Sequence, residues 1–375
     1  VTGHMSTMNK LGLTLVLVAG FVAALFFALH QQSSTPAPQL ADATGELRGL
    51  VAAEIEPFFH DTRVQKILAE HQVPVKVARA SPRDMAAQVA PGRTPDFFIA
   101  SGVGAAQEIS ATAHPAGLTL ASSAPFHTPM VIASWASIAR ILVANELATP
   151  LGARTYAVPM DGLTRTMLAH KRWKDLADAQ AYDLCRDVLV ATADVRHSPS
   201  AAMYLALTGD ALHGAAVSDR ATAAALAPRL AELFKRQGPL ESGRNAPFDD
   251  YLAIGMGQTP LAFIEERQLV QHVMERQAVD ADMVLLYPRP TIVHKLVFLA
   301  ANERAQALAE LLGRHAELQR IAVSYGFRGA DPQVLVATVQ PTGLAVAERL
   351  PQVIDPPPVD VMNEMVGAVV KELAP

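Results

Sequence analysis

The sequence predicts an α/β protein of two lobes, preceded by one N-terminal transmembrane helix. Three observations carry this reading. The chain has 375 residues, more than one small core accommodates. From Glu46 onward, short apolar runs alternate with amphipathic helical patterns, the order of βαβ units. Near the start, Leu11–Leu29 (LGLTLVLVAGFVAALFFAL) is a run of 19 residues without a charge.

At about 1.5 Å per residue that run spans roughly 28 Å, close to the hydrocarbon thickness of a bilayer. A cleaved secretory signal is the competing reading, with an apolar region of about 7–15 residues. Here the run is longer, and Leu29-His30-Gln31-Gln32 and Ala37-Pro38 make poor cleavage sites. No cysteine ends the run, as a lipoprotein would need. An uncleaved anchor is therefore expected over 11–29. Lys10 precedes it, whereas Glu46, Glu54 and Glu56 lie beyond. The positive-inside bias places residues 1–10 in the cytoplasm and the bulk of the chain in the periplasm or outside the cell. Residues 1–7 are left out of fold reasoning, because Met8-Asn9-Lys10 reads as a natural start.

Residues 30–46 form a linker, since Gln31–Gly45 is rich in Ser, Thr, Pro and Ala and follows neither structural period. Leu47–Ala53 then reads as a strand and Arg63–His71 as a helix entered through Asp61-Thr62. Val73–Ala78 is a strand and Pro82–Val89 a helix. Asp96–Ala100 (DFFIA) is a buried strand leading into Ser101-Gly102-Val103-Gly104 and a helix. This alternation predicts a parallel sheet. The middle continues with strand Thr128–Ser134, helix Ile138–Ala148, strand Asp187–Ala191 and a helix from Ser198 to Leu207. Ala221–Arg236 is amphipathic, and Pro228 is expected to break it and start a fresh helix. Leu261–Ile264, Met283–Tyr287 and Thr291–Leu299 read as strands. Glu265–Glu275, Arg304–Leu312 and Glu317–Tyr325 read as helices. Asp355-Pro356-Pro357-Pro358 introduces a last helix, Val359–Leu373, with Val361, Met365, Val369 and Leu373 at helical spacing. It is expected to pack back on a lobe.

A formal net charge of −5 provides no basic surface for nucleic acid, and no Lys/Arg cluster adjoins the apolar run. The single cysteine, Cys185, forms no intramolecular disulfide and reads as a buried small hydrophobe. The twelve histidines lack metal-binding spacing. No serine-hydrolase elbow, zinc-protease motif, phosphate loop or dinucleotide fingerprint is present, so no metal, cofactor or catalytic group is expected. The acidic pairs Asp249-Asp250 and Glu265-Glu266 adjoin helices and read as solvated or dipole-complementing residues. Trp135 and Trp173 read as packing residues. Ser101, Gly102 and Gly104 follow a buried strand and open a helix, where small residues let a ligand approach backbone donors. They also simply suit a turn, and both readings stand. Arg196, Ser198 and Ser200 sit at another helix start, where Ser198 serves equally as a cap.

Several segments together resemble the class II periplasmic solute-binding proteins, the group that includes molybdate and sulfate binders. They are Glu317–Arg328 (ELQRIAVSYGFR), Thr128–Ala133 (TPMVIA), Gly257–Ile264 (GQTPLAFI), Asp194–Leu205 (DVRHSPSAAMYL) and Tyr287–Pro290 (YPRP). The likeness covers Leu47 to Arg328 and implies a type II periplasmic-binding-protein-like fold. In that arrangement 47–129 and 263–354 form lobe 1, 130–262 forms lobe 2, and 355–375 is a terminal proline turn and helix. The ligand would sit between lobes that close about two crossings, with Thr128 and Tyr287 where strands meet the cleft. Glu54 falls where such proteins present their first ligand loop. A carboxylate there repels an oxyanion and favours a neutral or cationic ligand, unless it points to solvent. The resemblance thus implies a membrane-anchored protein that captures a small solute for a transporter or signalling partner, without bond chemistry. Two alternatives stay open: an envelope scaffold with a degenerate cleft, and a serine hydrolase using Ser198 or Ser200.

Overall fold

The computed structural model describes residues 45–90, 92–182, 184–237 and 246–374. The apolar run and all of the linker except Gly45 and Glu46 lie outside them. In chain order the strands are β1 Leu47–Val51, β2 Val75–Arg79, β3 Phe97–Ser101, β4 Ala121–Trp135, β5 Thr149–Pro150, β6 Thr155–Pro159, β7 Leu261–Glu265, β8 Met283–Arg289, β9 Thr291–Ala300 and β10 Val353–Ile354. The helices are α1 Glu56–His60, α2 Thr62–Glu70, α3 Pro82–Ala87, α4 Val103–Ala113, α5 Ala136–Ala144, α6 Met160–Leu168 and α7 Pro199–His213. They continue with α8 Arg220–Lys235, α9 Ala246–Ala253, α10 Glu266–Arg276, α11 Glu303–Arg314, α12 Ala316–Ser324, α13 Pro332–Val339 and α14 Val359–Leu373.

The fold is a mixed α/β architecture of two lobes. One set of strands runs β2-β1-β3-β9-β4, and the other β7-β4-β8-β6-β5. Strand β4 belongs to both. Phe126–Pro129 pairs with β9, and from Met130 onward the strand pairs with β7 and β8. Its side chains divide likewise: Phe126 enters one core, with Phe58, Phe97 and Phe298, whereas Met130 and Ile132 enter the other. Strand β8 pairs with β4 and, in parallel, with β6, and the path meets the first set of strands again in β9, whose Val293 lies opposite Pro129.

Period-two alternation decides how the second sheet is covered. Leu261, Phe263, Val284 and Leu286 face the core built on α7 and α8. Ala262, Ile264, Leu285 and Tyr287 face the opposite core, on α9, α10 and α13. Each large apolar side chain buried this way contributes about 1.5–3 kcal/mol. Helix α14 seals the first of these cores with Val361, Met365 and Val369.

Several expectations need correction. The sheet is mixed rather than parallel: β1 is parallel to β2 and β3, but β9 is antiparallel to both β3 and β4. Alternating strands and helices specify order, not direction, and β9 arrives by a long excursion through the other lobe. Asp187–Ala191 makes only isolated bridges, Asp187 with Arg172 and Ala191 with Ala262. Pro228 lies inside an unbroken α8. The carbonyl it deprives of a partner belongs to exposed Ala224, where solvent can reach it. Cys185 is exposed rather than buried. The segment β5-β6-α6 was not anticipated, since Gly152, Gly162 and two prolines mask its short pattern. Among the described residues no helix is long and apolar enough to cross a membrane.

Candidate functional site

Parallel strands β1 and β3 end side by side, and in open α/β sheets ligands gather beyond such carboxyl ends. After β1 the chain turns through half-buried Glu54 into α1. After β3 it turns at Gly102, whose φ of 93° places it in the left-handed region. Gly102 is also the N-cap of α4 and brings no side chain to that helix start. Gly104 lies within the first turn of α4, and a Cβ there would stand 3.4 Å from Val359 Cγ2, where α14 begins.

Beneath this turn lies a chain of polar side chains in which sequence reasoning named Ser101 and Thr128 but missed His294, Glu265 and Arg267. Ser101 Oγ is 3.1 Å from His294 Nε2. His294 Nδ1 is 3.0 Å from Glu265 Oε1, and Arg267 Nε donates to Glu265 Oε2 at 2.5 Å. The Arg267 N–H donates to Thr128 Oγ1 at 3.1 Å. This line joins the end of β3 to the place where β4 passes between sheets. Burial would raise the Glu265 carboxyl, but Arg267 and His294 outweigh it and hold it well below the usual carboxylate range. Burial would lower His294, but the Glu265 carboxylate, helped by Glu54, raises it above its usual value. A signal was available: on β9 the side chains at 292, 294, 296 and 298 are all buried, and only 294 carries a polar group.

The neighbouring carboxylate serves a second buried cluster. Glu266 accepts from Arg328 Nε at 2.6 Å and Nη2 at 2.7 Å, and from the Tyr287 hydroxyl at 2.5 Å. Arg328 Nη2 also donates to the Ala347 carbonyl, while the Ala347 N–H donates to the Tyr287 oxygen. Of the two readings of Glu265 and Glu266, solvation fails, because each has a guanidinium partner in the interior, whereas both do stand at the N-terminus of α10, where a carboxylate complements the helix dipole. Thr128 and Tyr287 are both buried, with their hydroxyl groups already hydrogen-bonded.

The other expected residues gather separately at the start of α7. Ser198 caps that helix through the Ala201 N–H at 3.3 Å. Exposed Arg196 grips Asp194 through Nε and Nη2 at 2.6–2.9 Å, and Ser200 follows one position into the helix. The Arg196 hydrogen bond holds the Asp194 carboxyl below its usual value. No hydrogen bond among the described residues joins this group to Ser101 and Glu54. The structure thus brings together Glu54, Ser101, Gly102 and Gly104 on one lobe, and Arg196, Ser198 and Ser200 on the other. A cavity of about 500 Å³ in the second lobe, lined by Trp173, Arg186, Arg236 and Thr259 among others, holds none of them. Among the described residues no three His, Cys, Asp or Glu side chains group as metal ligands.

The family model described as bacterial extracellular solute-binding protein matches residues 47–328. None of the curated proteins matches the sequence. Among solved structures, an extracellular solute-binding protein of Bordetella parapertussis, so described provisionally, superposes with a TM-score of 0.58 at 10% identity, covering 88% of this chain and 98% of that one. An ABC transporter structure from Clostridium perfringens gives 0.54 at 10% identity, covering 88% and 100%. A Trichodesmium protein in complex with iron and citrate gives 0.51 at 13% identity, covering 88% and 98%. At these identities the likeness concerns the fold.

Proposed function

As the chain belongs to the family of bacterial extracellular solute-binding proteins, we propose that it captures a small polar solute between its two lobes and passes it to a membrane transporter. The family binds solutes rather than transforming them. The observation that carries the reading is β4, one strand shared by two sheets with a separate core on each side. Such a strand permits two rigid bodies to rotate about the segment between Pro129 and Met130.

Glu54, Ser101, Gly102 and Gly104 would contact the solute from one lobe, and Arg196, Ser198 and Ser200 from the other. Thr128 and Tyr287 would brace the hinge from behind. Leu11–Leu29 would hold the protein at the outer face of the membrane, with the linker to Glu46 as its tether. Tethering keeps the loaded protein at high effective concentration beside its transporter.

Native mass spectrometry of the purified chain, joined to a thermal-shift screen of small solutes, tests this. A non-covalent occupant, or stabilisation that grows with solute concentration, is expected. An empty protein indifferent to every solute, co-purifying with an envelope protein, would overturn the reading.

A further inference from the structure

His294 is 4% exposed and lies between two oxygen atoms, Glu265 Oε1 on one side and Ser101 Oγ on the other. An ionised carboxylate only accepts, so Nδ1 must carry a proton. Nε2 then has two choices. With a lone pair it takes the Ser101 proton inward, and Ser101 can only accept from a ligand. With a second proton it donates to Ser101 Oγ, and the Ser101 proton is free to be donated outward. The surrounding charges select between these. Glu265 and Arg267 reach the ring from the β7–α10 junction and Glu54 from the turn after β1. Two carboxylates facing one guanidinium leave a negative charge that an imidazolium cancels. The raised affinity of His294 for its proton agrees with this balance.

We propose that His294 is a positioning residue: as an imidazolium held by Glu265 it makes Ser101 a hydrogen-bond donor to the solute, beside Glu54 as the acceptor. The ligand class that matches is a zwitterionic amino carboxylate, its carboxylate on Ser101 and its ammonium toward Glu54. This assignment rests on the solute-capture reading above and specifies its chemistry.

Two measurements on the full chain decide it. Nitrogen-15 NMR of histidine-labelled protein without solute reads the ring directly. Both His294 nitrogens are expected to be protonated at pH 6.5, with His294→Gln identifying the signals; an unprotonated Nε2 overturns the proposal. The second measurement compares amino acids with their decarboxylated amines and deaminated acids as probes in calorimetry and thermal shift. The intact amino acid should bind tightest. Ser101→Ala should weaken it about 10- to 100-fold, the loss of one hydrogen bond to a charged group. Affinity should fall by about tenfold per pH unit once the pH passes the His294 pKa, a dependence absent in Ser101→Ala. Amines binding as well as amino acids, or no response to any probe, overturns the assigned class. A different co-purified solute in the mass spectrum would leave the capture reading standing in either case.

Discussion

Replacing Glu266 by Gln removes the charge from a carboxylate with no exposed surface, in contact with a guanidinium that is 2% exposed. Arg328 keeps its contact with the Ala347 carbonyl but has no counter-charge within reach of its other donors. Breaking a buried pair from one side costs about 3–5 kcal/mol, chiefly the penalty of an uncompensated interior charge. In a chain of this size each kcal/mol moves the melting temperature by about 2–4 °C, so a drop of about 6–20 °C follows. Arg328→Met should lose a similar amount, since it strands Glu266 with only the Tyr287 hydroxyl. The double variant buries no charge and should be no worse than either single one. A double-mutant cycle by urea unfolding, followed by circular dichroism, should therefore give a coupling energy of at least about 2 kcal/mol. Additivity within about 0.5 kcal/mol, or a Glu266→Gln loss under about 1 kcal/mol, would refute the reasoning.

Three further outcomes are expected. Glu265 has a lowered carboxyl pKa, so its contribution is present above the unfolded value of 4.5 and lost as pH falls through the folded one. His294 has a raised pKa, so its contribution is complete below 6.5 and lost as pH rises through the folded value. Urea midpoints of wild type minus Glu265→Gln should thus diverge most between these limits, and a flat difference would contradict the ion pair. Gly326→Ala would place a Cβ 2.3 Å from the Arg267 carbonyl at a φ of 84°, and should cost about 1–3 kcal/mol in chemical unfolding. Met365→Ala should cost about 2–5 kcal/mol, because its fully buried side chain anchors α14 on the second core.

The fold was readable where apolar patterns were long. Val359–Leu373 appears as a helix over the expected residues, and most strands lie within two residues of expectation. Strand direction was not readable, since the antiparallel pairing of Phe97 with Ala300 depends on a partner far along the chain. Ser101 and Gly102 stood out through the glycine-rich turn after an apolar strand. His294, Glu265 and Arg267 did not: His294 is a lone polar residue in an apolar strand, and Glu265-Glu266-Arg267 reads as the charged start of a helix, so they become a cluster only when β3, β9 and the β7–α10 junction converge. Cys185 was misjudged for the opposite reason: its apolar neighbours suggested burial, but they belong to a loop rather than to a strand.

The distant partnership of β3 with β9 also bears on how the molecule is made. Phe97 stacks on Phe298, far along the chain, and the second core takes Met365 from near the carboxyl end. Both cores therefore draw on residues of the last quarter of the chain, and their packing is complete only once that stretch is present. For a chain exported as proposed above, completing both cores last would leave it threadable through a membrane channel until then.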